Sequence, residues 1–160
     1  MKKNLIFAAF MPILAVMTLM ISNQAMANAN ADEVVIADFN TGDKPNNIEG
    51  DFGAWNKDPD DDSQKTEMKF VTDDALGDST GYSIRLDYDV ESPNPAYNGF
   101  WMKLNDLDAT SYNTVNFYIK GDSAAGFTQR VKIELKDSTK QPSAFILSGV
   151  TDQWQKFSLP

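Results

Sequence analysis

Apolar and polar residues alternate along most of the chain beyond residue 33. A period of two places successive side chains on opposite faces of a strand, so one face can enter a core while the other meets solvent. Residues 82–90 carry the clearest alternation, and proline then interrupts it at Pro93 and Pro95. The pattern predicts eight strands, over residues 34–39, 66–72, 82–90, 97–104, 114–120, 130–136, 143–147 and 154–159.

Turn-rich segments separate these runs, and no segment after the N-terminal region has a convincing helical period. Many short strands between turns predict an all-β fold, most economically an antiparallel β-sandwich of jelly-roll type. The chain stops at Pro160 directly after a predicted strand, so we expect it to be C-terminally truncated, with a final strand missing.

The first 27 residues have the pattern of a signal peptide. Lys2 and Lys3 precede an apolar run over residues 5–21, and Ala25 and Ala27 supply the small residues of a cleavage site. Cleavage after Ala27 leaves 133 of the 160 residues, enough for one domain over residues 28–160. We therefore expect an exported protein, periplasmic or extracellular, without stable membrane insertion after cleavage. A retained anchor stays open as the alternative, since the apolar run is near the lower length limit for a span.

The amino-acid composition argues against several classes of function. Cleavage removes two lysines and leaves 12 basic against 23 acidic residues, a net charge near −11 that disfavours nucleic acid as a partner. The chain contains no Cys and no His, so thiol nucleophiles, His-based acid/base chemistry and His-ligated zinc are excluded.

The strand over residues 97–104 has two distinct faces. Phe100, Met102 and Leu104 form an apolar face, whereas Tyr97, Trp101 and Lys103 fall on the other side. If the neighbouring strands share one sheet with it, an outward set of aromatic, planar polar and charged groups results. The set comprises Arg85, Asp87, Tyr97, Trp101, Lys103, Asn116, Tyr118, Arg130, Lys132 and Glu134.

Aromatic rings stack on the C–H faces of sugars, and planar polar groups bridge sugar hydroxyls, so this set predicts a carbohydrate-binding face. The alternative is an ordinary solvated surface on which a loop covers Trp101. Phe52 and Trp55, which lie beside glycines in a predicted turn over residues 50–55, are expected to cover the end of the core. Stacking of these rings on a ligand at the rim stays open as the alternative.

Several motifs resemble the carbohydrate-binding-module jelly rolls of the galactose-binding-like superfamily, nearest to the family-eleven β-glucan modules and related to the complex I intermediate-associated protein domain. The resemblance covers most of residues 34–160. It rests on Asp38-Phe39 and on residues 50–55, 83–90, 99–104, 115–122 and 154–160.

The resemblance implies a non-catalytic domain that binds a β-glucan-like or other polysaccharide or oligosaccharide. It also implies a structural calcium ion near the end of the first strand, at Asp38 and Asn40. The related complex I intermediate-associated domain leaves a structural or protein-interaction role open, with a protein partner on the same face.

Two acidic features have further interpretations. The aspartate-rich loop over residues 58–62 matches the first positions of a calcium loop, but Ser63 stands at the glycine position and Lys69 at the glutamate position, which favours a solvated charge run. Asp87 and Glu134 are the carboxylate pair that a glycoside hydrolase would need, although outward acids on separate strands suit hydroxyl binding better. We predict no enzymatic activity for this domain. That it is part of a glycoside hydrolase, with a downstream hydrolase domain in the full-length protein, stays open as an alternative.

Overall fold

A computed structural model describes the backbone of residues 3–8 and residues 33–76, 81–137, 139 and 141–160. Within these ranges the protein is built from strands, and no helix there is long and apolar enough to cross a membrane. The strands are β1 (Lys3–Ala8), β2 (Phe52–Asn56), β3 (Lys65–Val71), β4 (Ser83–Asp89), β5 (Asn98–Met102), β6 (Val115–Gly121), β7 (Arg130–Lys136), β8 (Pro142–Ser148) and β9 (Gln155–Leu159).

The all-β prediction is confirmed, and every pairing is antiparallel. The largest sheet has five strands in the order β3-β4-β1-β6-β9. Two ribbons of two strands each, β2-β5 and β7-β8, complete the described structure.

Two apolar clusters join the ribbons to the large sheet. In the first, Phe52 of β2 and Phe100 of β5 pack with Ile84 and Leu86 of β4. In the second, β7 and β8 pack against β6 and β9 around Ile119, Leu147, Val150 and Leu159. The inward faces are therefore those that the alternation predicts, because only an apolar face gains free energy on leaving water.

Seven of the eight predicted strands are confirmed, with ends shifted by a few residues. The exception is residues 34–39, which form no strand in the structure, so that prediction is wrong. Phe39 adopts a left-handed backbone conformation with φ of 57°, which ends any extended run. Ala37 and Phe39 are nevertheless buried, since their apolar side chains fill the first cluster.

Two further differences concern strands that the alternation does not predict. Residues 52–56, predicted as part of a glycine-rich turn, form β2 and pair along their full length with β5. Lys3–Ala8 forms β1, which lies between β4 and β6 although it falls inside the predicted signal peptide. The predicted cleavage site after Ala27 lies outside the described residues.

Candidate functional site

The β2-β5 ribbon has one buried and one solvent-facing side. Phe52 is fully buried, and Phe100 and Met102 pack on the same cluster, so these side chains point into the protein. Because side chains alternate along a strand, Gly53 and Trp55 of β2 must share the opposite, outer face with Gly99 and Trp101 of β5.

The pairing register sets each tryptophan opposite a glycine. Trp55 pairs with Gly99, and Trp101 pairs with Gly53. A β carbon added at Gly99 would lie 3.0 Å from Nε1 of Trp55, and one added at Gly53 would lie 3.4 Å from Nε1 of Trp101. Each indole therefore lies across the opposite strand, over a backbone position that has no side chain.

A buried asparagine fixes this register at one end of the ribbon. Asn46 Oδ1 accepts a hydrogen bond from Gly50 N at 2.6 Å, and its Nδ2 donates to the carbonyl oxygen of Lys103 at 3.0 Å. A β carbon at Gly50 would lie only 2.1 Å from that same carbonyl oxygen, so the close approach requires glycine. The segment before β2 is thus tied to the residue that follows β5.

Three aromatic rings lie on the outer face of the ribbon and remain accessible. The exposed fractions are 39% for Trp55, 36% for Trp101 and 55% for Tyr97. Tyr97 meets Trp55 edge to face, with ring centroids 5.8 Å apart. We call these three side chains the aromatic platform.

Three lysine ammonium groups surround the aromatic platform. Lys57 Nζ lies 5.7 Å from the Tyr97 ring centroid, and the Nζ atoms of Lys44 and Lys103 each lie 5.9 Å from the Trp101 ring. These distances are at the outer limit of a cation–π contact. Lys44 also pairs with Asp51 at 2.8 Å, and its hydrogen bond lowers the pKa of that carboxyl below its usual value.

The structure divides the predicted carbohydrate-binding residues among three sheets. Tyr97, Trp101 and Lys103 lie at the β2-β5 ribbon. The others lie elsewhere, with Arg85 and Asp87 on β4, Asn116 and Tyr118 on β6, and Arg130, Lys132 and Glu134 on β7. Among the described strands β5 pairs with β2 and with no other, so the condition that the neighbouring strands share one sheet with residues 97–104 is not met, and Arg85, Tyr118 and Arg130 do not lie in the sheet of Trp101.

Arg85 and Asp87 belong to a charged cluster of their own on β4. Lys69 Nζ donates to Asp87 Oδ2 at 2.7 Å. Arg85 Nε lies 3.0 Å from Asp87 Oδ1, but this contact is an ion pair without hydrogen-bond alignment. Asp87 is therefore in ion-pair contact with two cations, Lys69 and Arg85, on the β3-β4 pair.

Glu134 is likewise paired within its own ribbon. Lys132 Nζ lies 2.6 Å from one carboxylate oxygen and Lys136 Nζ lies 3.5 Å from the other, and the Lys132 hydrogen bond lowers the pKa of Glu134. A glycosidic general acid needs a raised pKa. Glu134 and Asp87 stand on different sheets, so their geometry lends no support to a hydrolytic pair.

The predicted calcium ligands Asp38 and Asn40 line one surface cleft together with Glu49. Asp38 Oδ1 accepts a hydrogen bond from Asn40 N at 3.0 Å and so closes a local turn. Among the residues that the structure describes, no group of three acidic, His or Cys side chains is positioned to hold a metal ion. These donors fit calcium only in part, and the ion stays a prediction from the resemblance.

The acidic loop is organised around Asp61. Its carboxylate accepts hydrogen bonds from Ser63 N at 3.0 Å, Gln64 Nε2 at 2.9 Å and Asn94 Nδ2 at 3.1 Å. The Ser63 hydroxyl also donates to Asp61 Oδ1, at 2.5 Å, and is the largest cause of a pKa of Asp61 well below its usual value, to which the other donors add. The loop therefore uses this acid to connect residues 58–64 to the segment before β5.

Sequence reasoning missed Trp55 as a surface residue. The sequence favours the core for Trp55 over a ligand-stacking position at the rim, because loop aromatics beside glycines more often cover the end of a core, yet the structure exposes this ring beside Tyr97. A signal exists in the sequence, since residues 53–55 and 99–101 both read Gly-x-Trp. Antiparallel pairing of two such triplets places each tryptophan opposite the glycine of the other.

No protein-family model, no curated protein and no solved structure matches this chain.

Proposed function

We propose that the protein is an exported, non-catalytic carbohydrate-binding domain whose binding surface is the aromatic platform. The observation that carries this proposal is the presence of Trp55, Tyr97 and Trp101 as partly exposed rings on one face of one ribbon. The ligand would be a β-glucan-like or other polysaccharide, or an oligosaccharide derived from one.

The glycines beneath the rings support a binding role. A side chain at Gly99 would press on the Trp55 indole, and one at Gly53 would just touch the Trp101 indole, whereas glycine lets both rings lie across the ribbon. Rings held in this way lose little further freedom when a ligand stacks on them, which favours affinity. A flat, water-exposed indole offers an apolar surface that suits the C–H face of a pyranose ring.

The arrangement of the sheets supports a β-sandwich of jelly-roll type for this domain. Two ribbons pack on the two halves of the five-stranded sheet through separate apolar clusters, as two facing layers would. Cleavage after Ala27 would remove the central β1, and the β3-β4 and β6-β9 pairs would each keep the ribbon that packs on it. In such an architecture the outer face of β2-β5 is directed away from the core and is available to a long polymer.

Affinity electrophoresis in gels that contain soluble polysaccharides tests the proposal. We expect Trp55→Ala and Trp101→Ala each to weaken retardation, and the double variant to abolish it. Ile146→Ala is the matched control, because Ile146 is an apolar side chain, 55% exposed, on the distant ribbon β7-β8. Thermal unfolding of each variant establishes that lost retardation does not reflect lost folding.

Retardation that survives the double tryptophan variant would overturn this location. A triple variant of Arg130, Lys132 and Glu134 to Ala then asks whether the sequence-predicted residues of β7 bind the sugar instead. These residues lie on another ribbon, so the two sets of variants report separately.

A protein-interaction domain is the second candidate function. Exposed tryptophan and tyrosine beside cations are also typical of protein interfaces, where such residues contribute most of the binding energy. Capture of a defined protein partner that requires Trp55 and Trp101, together with no polysaccharide retardation, would favour this candidate over carbohydrate binding.

A further inference from the structure

The charge around the aromatic platform is opposite to that of the protein as a whole. The chain carries 23 acidic against 14 basic residues. At the platform, however, the ammonium groups of Lys44, Lys57 and Lys103 all lie within 6 Å of a ring centroid.

In the described part of the chain, only one of these three lysines forms a direct ion pair, and the same carboxylate, that of Asp51, attracts Lys103 at longer range. Lys44 pairs with Asp51, whereas Lys57 donates to the main-chain oxygen of Pro95 at 3.1 Å. Among the described residues, Lys57 and Lys103 have no carboxylate within ion-pair distance. All three lysines are exposed, so their ammonium groups can be reached by a ligand on the rings.

We infer that the aromatic platform selects polysaccharides that carry carboxylates, such as polymers of uronic acids. This inference rests on the proposed function and specifies its ligand class. A pyranose stacked on Trp101 would lie beside Lys103 and Lys44, and one against Tyr97 would lie beside Lys57. A carboxylate at the edge of the sugar ring could then accept a charge-assisted hydrogen bond from the neighbouring ammonium group.

The negative charge of the rest of the protein does not cancel this local preference. In 0.1 M salt the screening length is about 10 Å, so distant acids act weakly on a ligand that contacts the lysines. The expected signature is a carboxylate preference that is strong at low salt and diminishes as salt is added.

The experiment compares a soluble oligogalacturonate with a neutral β-glucan oligosaccharide of similar length, by titration calorimetry at about 0.1 M and about 1 M salt. We expect tighter binding of the oligogalacturonate at low salt and a smaller difference at high salt. Replacing Lys57 and Lys103 together by Gln should weaken oligogalacturonate binding about threefold to tenfold and neutral-glucan binding by a clearly smaller factor.

The Lys132→Gln/Lys136→Gln double variant is the matched control. It makes the same change in net charge on the β7-β8 ribbon, where both lysines pair with Glu134. Equal loss of oligogalacturonate binding in this variant would show unspecific attraction and overturn the inference.

The remaining outcomes separate the inference from the proposed function. Equal affinity for the charged and neutral sugars, with dependence on Trp55 and Trp101, would overturn the carboxylate preference and support the platform. If the folded protein binds neither sugar, both the carboxylate preference and the proposed carbohydrate binding are overturned for these two ligand classes.

Discussion

The indole of Trp55 lies over Gly99 of the opposite strand, so closely that a β carbon there would stand 3.0 Å from its Nε1 atom. Trp101 lies over Gly53 in the mirrored arrangement, with a corresponding distance of 3.4 Å. The two glycines leave room for the rings to lie over the opposite strand, and this placement determines how the outer face of the β2-β5 ribbon meets a ligand.

The first prediction concerns this pair of glycines. Gly99→Ala should displace the Trp55 ring, because 3.0 Å is shorter than ordinary van der Waals contact, and should weaken polysaccharide retardation. Gly53→Ala should be tolerated, since 3.4 Å is close to ordinary contact and alanine restricts the unfolded chain. Two-dimensional NMR of the three indole N–H groups reports the ring positions. A larger shift in the Gly53 variant than in the Gly99 variant would contradict the geometry.

The second prediction separates the buried side of the ribbon from its outer side. Phe52 is fully buried and meets Phe39, Phe70 and Phe100 with ring centroids 5.7, 6.1 and 5.9 Å away. Phe52→Ala should cost about 3–5 kcal/mol of unfolding free energy, because it removes the contacts of a buried ring and leaves a cavity. Urea denaturation measures this cost. Trp101→Ala should cost less, and the reverse order would assign Trp101 to the core.

The third prediction concerns the pH dependence of stability at Asp61. Its pKa is lowered by hydrogen bonds in the folded protein, with 3.8 as the ordinary value. The unfolded chain therefore binds the proton more readily, so the contribution of Asp61 to stability is present above about pH 4 and is lost as the pH falls. In urea denaturation between pH 6 and pH 3, the free energy of unfolding should fall less steeply with pH for Asp61→Asn than for the unaltered protein.

Glu67 provides the comparison for that measurement. Its pKa is lowered to about 2 by the ion pairs with Lys65 and Lys69, so its contribution also disappears as the pH falls. Salt should weaken this ion-pair effect, whereas the hydrogen bonds from neutral donors to Asp61 should be little affected. An equal response of Asp61→Asn and Glu67→Gln to added salt would contradict these assignments.

The fourth prediction concerns β1, which separates β4 from β6 in the five-stranded sheet. Protein that begins at Asn28 lacks this strand, so one edge of β4 and one edge of β6 lose their hydrogen-bond partners. Ile84 of β4 and Ile119 of β6 are fully buried. If the loss of β1 exposes them to water, each exposure would lower the free energy of unfolding by up to about 1.5–3 kcal/mol. We expect a lower melting temperature for residues 28–160 than for residues 1–160.

A peptide of residues 1–10 should raise the melting temperature of the shorter protein, because it can pair with the same two edges in trans. A peptide with the same composition in scrambled order is the control. Equal melting temperatures of the two proteins, without any effect of the peptide, would show that β1 does not contribute to the stability of the sheet.

The amino-acid sequence by itself determined the all-β class and seven of the strands. For the strands over residues 82–90, 97–104, 114–120 and 130–136 it also determined the side that enters a core. Alternation carries this information locally, because a side chain's face depends only on its position along its own strand. It also identified Tyr97, Trp101 and Lys103 as outward residues of the strand over residues 97–104.

Only the tertiary structure decided which strands are neighbours. Alternation carries no information about which strand pairs with which, because pairing depends on main-chain hydrogen bonds at the strand edges. It therefore could not predict that Trp55 pairs with Gly99, or that Arg85 and Arg130 lie in other sheets than Trp101. Local signals also failed where long-range contacts prevailed. The glycines of residues 50–55 suggested a turn, but residues 52–56 pair with β5 as a ribbon. This pairing is favourable because it buries Phe52 and because the Trp101 indole fills the space above Gly53.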